Sequence, residues 1–252
     1  MVRAEVPSDS AGADGLAAKE REIRIQLAAG YRLADKYGMS EIINTHISMR
    51  VPGPAPAFLL NPLGMLFSEI TASSLVKVDL DGNIIGESDW PVNRAGVQIH
   101  RAIQAARPDA NCVFHTHTPY ATAVASLECG LLPMSQAALR FYGDIAYHDY
   151  GRAGFDPTEN DRLKQDLGSK WNMLLRNHGA ITLGKTVGQA FMAAFYLERA
   201  CQFQILAQSA GVPLVMPADD IIAASGIRGG TEERAWPSLL RMLDREDPSY
   251  RD

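Results

Sequence analysis

The 252-residue chain is predicted to fold as a single α/β domain around a mostly antiparallel or mixed sheet. Segments with apolar residues three or four positions apart alternate with short β-rich runs, so both helices and strands are expected. These elements do not follow one another in strict βαβ order, which disfavours a doubly wound parallel sheet. The composition is that of an ordinary globular protein, with 46% hydrophobic and 21% charged residues.

The first third of the chain predicts a tail, a helix and a meander of strands. Residues 1–14 are small and polar and are expected to form a mobile N-terminal tail. From Leu16 to about Tyr37 the apolar residues recur at helical spacing, and Gly38 is expected to end that helix. Four short β-rich runs separated by turn signals then predict strands: HISMRV, AFLL, LVKVDL and NIIG.

The remainder predicts helices and buried strands within one domain, which we place at residues 15–252. Helices are expected over 93–106, over 119–127 with Thr118 as cap and Pro119 at the first turn, and over 156–168, 186–210 and 231–245. The strands between them are ANCVFHTH, IAYHDY and WNMLLRN. The chain from about residue 212 is less regular and is interpreted as a C-terminal extension.

Charge and cysteine usage exclude some classes of protein. A net charge of −5 argues against binding to nucleic acid or to an anionic membrane surface. The sequence has no apolar run of 18 residues and no apolar signal core at its start. Cys112, Cys129 and Cys201 form no CxxC pair and lie among apolar neighbours, which favours buried thiols in a reducing compartment. The predicted location is cytoplasmic.

A pair of histidines at the end of an apolar strand carries the main functional signal. His115 and His117 are two residues apart, so their side chains leave a strand on the same face and can grip one ion. His178 lies just past another apolar strand and precedes Gly179. Three neutral imidazole nitrogens with one open position are the arrangement of catalytic zinc sites. The alternative is that these side chains only satisfy hydrogen bonds at strand ends.

The motifs RPDANCVFHTHTPYATAVAS, IAYHDYG and LLRNHGAITLG resemble the class II aldolase/adducin family, from about Leu16 to Gly211. The resemblance implies that His115, His117 and His178 bind zinc or another divalent ion. It also implies a three-layer α/β/α fold with a central, mainly antiparallel sheet, assembled as a homotetramer with sites near subunit interfaces. Imidazole ligands accept zinc, manganese, iron or cobalt, so the ligands alone leave the metal open, with zinc expected first.

The chain departs from the sugar-phosphate aldolases of that family in two respects. Counting back from the Arg107-Pro108-Asp109 segment, Gly96 stands where those aldolases carry a catalytic glutamate, and glycine offers no acid or base. The positions that hold a phosphate in those enzymes carry Leu63 and Ala95, among others, and neither side chain donates a hydrogen bond. An ordinary phosphate-dependent aldolase is therefore not expected.

Five other side chains are candidates for substrate binding or proton transfer. The Arg94 guanidinium suits a substrate carboxylate, although it is equally a solvated helix residue. His46 is a candidate substrate contact or a strand cap. His100, on the helical face of the missing glutamate, is a candidate proton donor. His148 and Tyr150 are further candidates, with packing of a strand as their alternative.

Loss of the glutamate with retention of three histidines resembles two branches of the family. One contains metal-dependent decarboxylases of aromatic or pyridine hydroxy-dicarboxylates. The other contains adducin-like interaction modules, whose animal members do not keep the complete histidine set. We therefore expect a divalent-metal lyase acting on a small, carboxylated molecule, with decarboxylation favoured over cleavage of an unphosphorylated aldol. A non-catalytic adducin-like module with a structural metal is the alternative, and a metal-dependent oxygenase is a further one.

Overall fold

The computed structural model describes residues 10–151, 158–226 and 232–252. Its helices are α1 Ser10–Lys36, α2 Arg94–Ala106, α3 Pro119–Ala125, α4 Gln136–Leu139, α5 Glu159–Leu167, α6 Val187–Gln208, α7 Asp219–Ala223 and α8 Glu232–Glu246, with 3-10 turns at Phe67–Glu69 and Pro248–Arg251. Its strands are β1 His46–Val51, β2 Ala57–Leu60, β3 Val76–Asp79, β4 Cys112–Thr116, β5 Ile145–His148, β6 Asn172–Leu175 and β7 Gly179–Gly184. Among the described helices, none is long and apolar enough to cross a bilayer.

The seven strands form one sheet in the order β3-β2-β1-β4-β7-β6-β5. Every neighbouring pair is antiparallel except β5 and β6, which are parallel. The expected meander is present, because β1, β2 and β3 are successive neighbours. The prediction of a central, mainly antiparallel sheet is confirmed.

The central strand β4 directs its side chains alternately to the two faces of the sheet. Cys112 and Phe114 pack into a core with α1 and α6, whereas Val113 packs on the opposite face with α2 and α5. His115 has the same parity as Val113 and pairs with His46 of β1. The histidines at this end of the sheet therefore lie on the α2 side.

Helices cover both faces, which confirms the three-layer α/β/α architecture. On one face, Leu27 of α1 and Phe191 of α6 are buried against β1 and β4. On the other face, Ile103 of α2 and Leu167 of α5 are buried against β4, β6 and β7. The large apolar area removed from water on each face stabilises the sheet from both sides.

The chain after residue 212 contributes to this core through α8. The Trp236 ring lies 5.6 Å from the ring of Phe191, and its indole nitrogen donates to Gln26 of α1. Leu243 is buried in the same cluster. A side chain at Gly188 would overlap Trp236, so the glycine allows α8 to approach α6 closely. The predicted extension is thus packed against the first and sixth helices.

Some expected boundaries differ from the structure. Helix α1 begins at Ser10 rather than Leu16, so part of the expected tail is helical; residues 1–9 of that tail lie outside the described residues. The NIIG run forms no strand and contributes only a bridge between Ile84 and Val78. Thr118 precedes α3 but makes no side-chain cap, because the Glu198 carboxylate of α6 accepts from the first backbone amides of that helix instead. That cap depends on a contact across the fold.

Candidate metal centre

The structure brings His115, His117 and His178 together at one end of the sheet. His115 is the fourth residue of β4, His117 follows that strand directly, and His178 lies in the turn between β6 and β7. The Nε2 atom of His117 lies 3.0 Å from Nε2 of His115 and 2.9 Å from Nε2 of His178. All three ligand atoms lie within 4.8 Å of one another. The predicted convergence of the two separated segments is therefore present in the geometry.

Hydrogen bonds to the far side of two rings fix which nitrogen faces the centre. His115 Nδ1 donates to the carbonyl oxygen of Ala180 at 3.0 Å, and His117 Nδ1 donates to the Glu41 carboxylate at 2.7 Å. Because a carbonyl oxygen and an ionised carboxylate only accept, Nδ1 carries the proton and Nε2 presents a lone pair. Two lone pairs that face each other at 3.0 Å repel unless a cation lies between them. The donor set thus fits a divalent ion.

Burial keeps two of the three rings, His115 and His178, neutral. Removal from water holds the pKa of His115 well below its usual range, and the neighbouring imidazoles lower it further. Burial, together with the charges of His117 and His148, lowers the pKa of His178 to about 4. Neutral imidazole is the form that binds metal ions, so both effects prepare the site for an ion near neutral pH.

The turn that presents His178 depends on two residues with different tasks. Asn177 adopts a φ of 57°, and His178 N donates to the Leu175 carbonyl across the turn. Gly179 starts β7 with an ordinary negative φ. A side chain there would overlap the Thr116 carbonyl of β4, so the glycine permits close approach of the two strands.

The segment that supplies Glu41 is strained. Ile42 and Thr45 have φ values of 52° and 66°, in the left-handed region that is unfavourable for β-branched residues. The Thr45 hydroxyl is buried without a hydrogen-bond partner. Strained backbone concentrates at functional sites, where the surrounding structure holds it in place. The strained segment lies between Glu41, whose carboxylate contacts His117, and His46, whose ring lies 5.0 Å from that of His115.

His46 and His100 form a second pair of histidines beside the cluster of His115, His117 and His178. Their nitrogens Nδ1 and Nε2 lie 2.6 Å apart, and the ring of His46 is 5.0 Å from that of His115. His100 is fully buried and its other nitrogen contacts the hydroxyl of Ser48 at 2.5 Å. Burial lowers the pKa of His100 to about 3 and that of His46 well below its usual range. Both rings are therefore neutral.

The His46 ring occupies the space beside Gly96, where a side chain would overlap the imidazole. The absence of a side chain in the first turn of α2 is thus coupled to the presence of a histidine in β1. The sequence shows that the glutamate is missing at Gly96, and the fold shows that the His46 ring fills the space.

A small cavity of about 20 Å³ adjoins His178 and is lined by His148, Tyr150 and Glu159, among others. His148 is buried, with Nε2 2.9 Å from Glu159 and Nδ1 2.7 Å from Asp166. Because ionised carboxylates only accept, this imidazole donates from both nitrogens and carries a positive charge. Neither nitrogen is left for a substrate in this arrangement.

Tyr150 and Arg94 are both exposed. The Tyr150 side chain is 69% exposed, and its ring lies edge-on to the His178 ring with centroids 6.3 Å apart. Arg94 is the first residue of α2, and within the described part of the chain its side chain makes no hydrogen bond or ion pair. Arg94 lies only two residues before Gly96, so its side chain leaves the helix on a different side from the one that meets His46.

Sequence reasoning missed Glu41, Ser48 and Gln104. Glu41 lies 76 positions from the histidine it contacts, and no local pattern marks it. The other two were visible as a pattern, since His46 and Ser48 share one face of β1 while His100 and Gln104 share one face of α2. Polar residues with matching periodicity on two buried elements indicate an internal hydrogen-bond network.

Comparison with known proteins places this geometry in a family. The sequence profile of the class II aldolase and adducin N-terminal domain matches residues 25–205. Alpha-adducin of Mus musculus is 46% identical over 94% of this chain, which spans 35% of the length of that protein. An aldolase II superfamily protein of Pseudomonas syringae has a crystal structure with a TM-score of 0.90 and 46% identity, covering 95% of this chain and 99% of its own. An L-fuculose 1-phosphate aldolase of Glaciozyma antarctica has a TM-score of 0.83 and 27% identity, covering 100% and 97% of the two chains.

Proposed function

The chain belongs to the class II aldolase and adducin N-terminal domain family, and on that premise we propose that it is a divalent-metal-dependent lyase cleaving a carbon–carbon bond beside a hydroxyl or oxo group. The observation that carries the proposal is the convergence of three imidazole Nε2 atoms. Hydrogen bonds at Nδ1 fix the Nε2 lone pairs of two of these rings, His115 and His117. His115, His117 and His178 would hold the ion, which would polarise a substrate oxygen and stabilise negative charge beside the bond that breaks. Zinc is the expected ion, with manganese, iron and cobalt as alternatives.

We favour decarboxylation of a hydroxy- or oxo-acid over aldol cleavage. Gly96 supplies no carboxylate to act on a sugar hydroxyl, and Leu63 and Ala95 supply no donors for a phosphate. A carboxylated substrate needs donors instead. His46 lies beside the ligand cluster, and Arg94 stands at the start of α2 with an unpaired guanidinium among the described residues. We assign substrate contact to both, with the arginine as the carboxylate anchor.

Of the three predicted proton donors, Tyr150 is the one we propose for proton transfer. Its exposed ring lies beside His178, and no hydrogen bond within the described residues occupies its hydroxyl. His100 and His148 have both ring nitrogens engaged in buried contacts. We therefore propose that these two histidines position other groups rather than transfer a proton.

The test is release of CO₂ from a panel of hydroxyaryl carboxylates and dicarboxylates by protein loaded with zinc, manganese, iron or cobalt in turn. His178→Ala is the negative control, and His148→Leu is a matched histidine change outside the ligand set. We expect CO₂ only from loaded wild type and from the His148 variant. Aldehyde release without CO₂ would favour the aldolase version, and oxygen consumption by the iron form would favour an oxygenase.

A second candidate function rests on the 46% identity with alpha-adducin. In that case the chain is a non-catalytic interaction module and its metal is structural. Chelation would then leave partner binding intact, and no compound of the panel would be turned over by any metal form. A pull-down with and without chelator, beside the CO₂ assay, separates this function from the lyase.

We also propose that the chain assembles as a homotetramer. Large apolar side chains are exposed on the C-terminal half of α6 and after it, including Phe203, Leu206 and Val212 at 46%, 54% and 63%. Exposed apolar surface of this kind is commonly covered by another subunit. Light scattering coupled to gel filtration measures the mass, and a monomer at micromolar concentration would contradict the assembly.

A further inference from the structure

A chain of buried hydrogen bonds runs from helix α2 to the side of the histidine cluster. Gln104 Nε2 contacts the Ser48 hydroxyl at 3.2 Å and the carbonyl oxygen of Asn111 at 3.1 Å. The hydroxyl lies 2.5 Å from His100 Nδ1, and His100 Nε2 lies 2.6 Å from His46 Nδ1. The four side chains in this series of hydrogen bonds, those of His46, Ser48, His100 and Gln104, are each at most 5% exposed.

The direction of these hydrogen bonds follows from which groups can donate a proton and which can only accept one. The Asn111 carbonyl only accepts, so the Gln104 group that faces it is the NH₂, and the same NH₂ donates to Ser48. Within the described residues the Ser48 proton has no acceptor other than His100 Nδ1. His100 then carries its proton on Nε2 and donates it to His46 Nδ1.

The order of donors and acceptors fixes the tautomer of His46. With Nδ1 accepting, neutral His46 must carry its proton on Nε2. Within the described residues, that Nε2 makes no hydrogen bond. The ring of His46 fits against Gly96, because that residue has no side chain. The backbone of His46 is fixed by its pairing with His115 on the neighbouring strand. His46 also stands outside the group of ligand atoms that lie within 4.8 Å of one another.

We propose that His46 is a hydrogen-bond donor for an anionic oxygen of the substrate, with its Nε2 proton fixed by the relay Gln104–Ser48–His100. The inference rests on the proposed function, because it assigns the class of substrate that the site takes. That class is a 2-hydroxy or 2-oxo carboxylate that reaches the ion with one oxygen and His46 with another. A neutral N–H donor at this place favours a negatively charged substrate. A glutamate side chain at position 96, as in the sugar-phosphate aldolases, would repel such a substrate.

The first test reads the tautomer directly in zinc-loaded wild type. Nitrogen-15 spectra of labelled histidine distinguish a protonated Nε2 from a protonated Nδ1. We expect the Nε2–H form for His46 and His100, and Ser48→Ala should lower the fraction of that form at His46. A His46 ring protonated on Nδ1 would overturn the proposal whatever the variants do.

The second test measures binding of glycolate and of its neutral amide, glycolamide, to zinc-loaded protein by calorimetry. His46→Leu should raise the glycolate dissociation constant about tenfold, as expected for loss of one hydrogen bond to a charged group, with a smaller change for glycolamide. Zinc affinity should stay within about twofold of wild type. Unchanged glycolate binding would refute the donor role, and a parallel loss of zinc would show instead that His46 is a metal ligand.

A glycine control separates the contact at position 96 from general effects of the substitution. Gly96→Ala should displace the His46 ring and weaken glycolate binding, whereas Gly15→Ala, where nothing lies within 4 Å, should not. These binding results stand apart from the proposed reaction. If glycolate binds through His46 but no panel compound releases CO₂, the lyase assignment fails and the donor assignment remains.

Discussion

His117 and His148 are both held by a carboxylate at Nδ1, and they differ in what faces the other nitrogen. In His117, Nδ1 lies 2.7 Å from Glu41, and Nε2 faces the lone pair of another imidazole. In His148, Nδ1 lies 2.7 Å from Asp166, and Nε2 faces the Glu159 carboxylate at 2.9 Å. The first ring keeps one nitrogen open to a cation, whereas the second donates from both nitrogens and is itself the cation. The second carboxylate decides between the two roles.

The difference extends to the neighbourhoods. Around His117 the histidines are neutral, because burial lowers the pKa of His178 to about 4 and that of His115 further. Around His148 the charges are balanced, since Arg162 also donates to Glu159 at 2.9 Å. A cation would therefore stabilise the region around His117, whereas the region around His148 already contains a positive charge.

The largest expected effect is acid destabilisation of the metal-free protein. His100 and His178 have pKa values of about 3 and 4 in the folded protein, against about 6.5 when unfolded. Between those values the unfolded chain binds more protons, so the free energy of unfolding falls as the pH falls from about 6.5 to 4. We expect a loss on the order of 5 kcal/mol from these two rings, and His46 and His115 add to it because their pKa values are shifted in the same direction.

Urea unfolding at several pH values measures this loss, and proton spectra of the imidazole rings identify its source. The four neutral rings should titrate only as the protein unfolds. A free energy of unfolding that stays constant from pH 6.5 to 4.5 would mean that the cluster is not neutral, and the contrast with His148 would disappear.

The next effect concerns metal affinity. His178→Ala removes one of three ligands and should weaken zinc binding by about a thousandfold (~4 kcal/mol), given total binding free energies of about 10–16 kcal/mol in structural zinc sites. His148→Leu should leave zinc affinity nearly unchanged. Competition with a chromophoric chelator measures both. Equal losses in the two variants would show that the two histidine regions are not functionally distinct.

His148→Leu is expected to act on stability instead. It leaves the buried Glu159 carboxylate without one of its two partners, and breaking a buried ion pair costs about 3 kcal/mol. The double variant His148→Leu/Glu159→Leu should recover most of the loss, because no uncompensated charge remains. Urea midpoints give the comparison. A neutral single variant would mean that the pair contributes nothing to folding.

The smallest effect tests the carboxylate behind the metal ligand. Glu41→Gln keeps the shape of the side chain but removes the charge that holds the His117 ring and raises its basicity. We expect zinc affinity to fall about tenfold to a hundredfold (~1.4–2.7 kcal/mol). Glu87→Gln, at an exposed position, is the matched control. If zinc affinity is unchanged in Glu41→Gln, the Glu41–His117 contact contributes nothing to metal binding and is an ordinary surface ion pair.

Much of the fold could be predicted from local pattern. The β1, β2 and β4 runs, the start of α2 after Asn93 and the helix after Thr186 agree with the structure because alternation, helical period and capping residues act over a few neighbours. The NIIG run forms no strand, and Thr118 holds the predicted N-cap position but makes no side-chain cap hydrogen bond. In both places a tertiary contact, or the lack of one, outweighs the local preference.

The sequence by itself determined the ligand types, the strand parity that puts His115 and His117 on one face, and the loss of a side chain at Gly96. Only the tertiary structure decided that His178 meets that pair, that Glu41 holds one ring, and that His46 fills the gap. It also decided that His148 is bracketed by two carboxylates. The physical reason is that protonation and hydrogen-bond direction depend on atoms a few ångströms away, and those atoms come from segments 50 to 80 positions apart for the Glu41, His46 and His178 contacts.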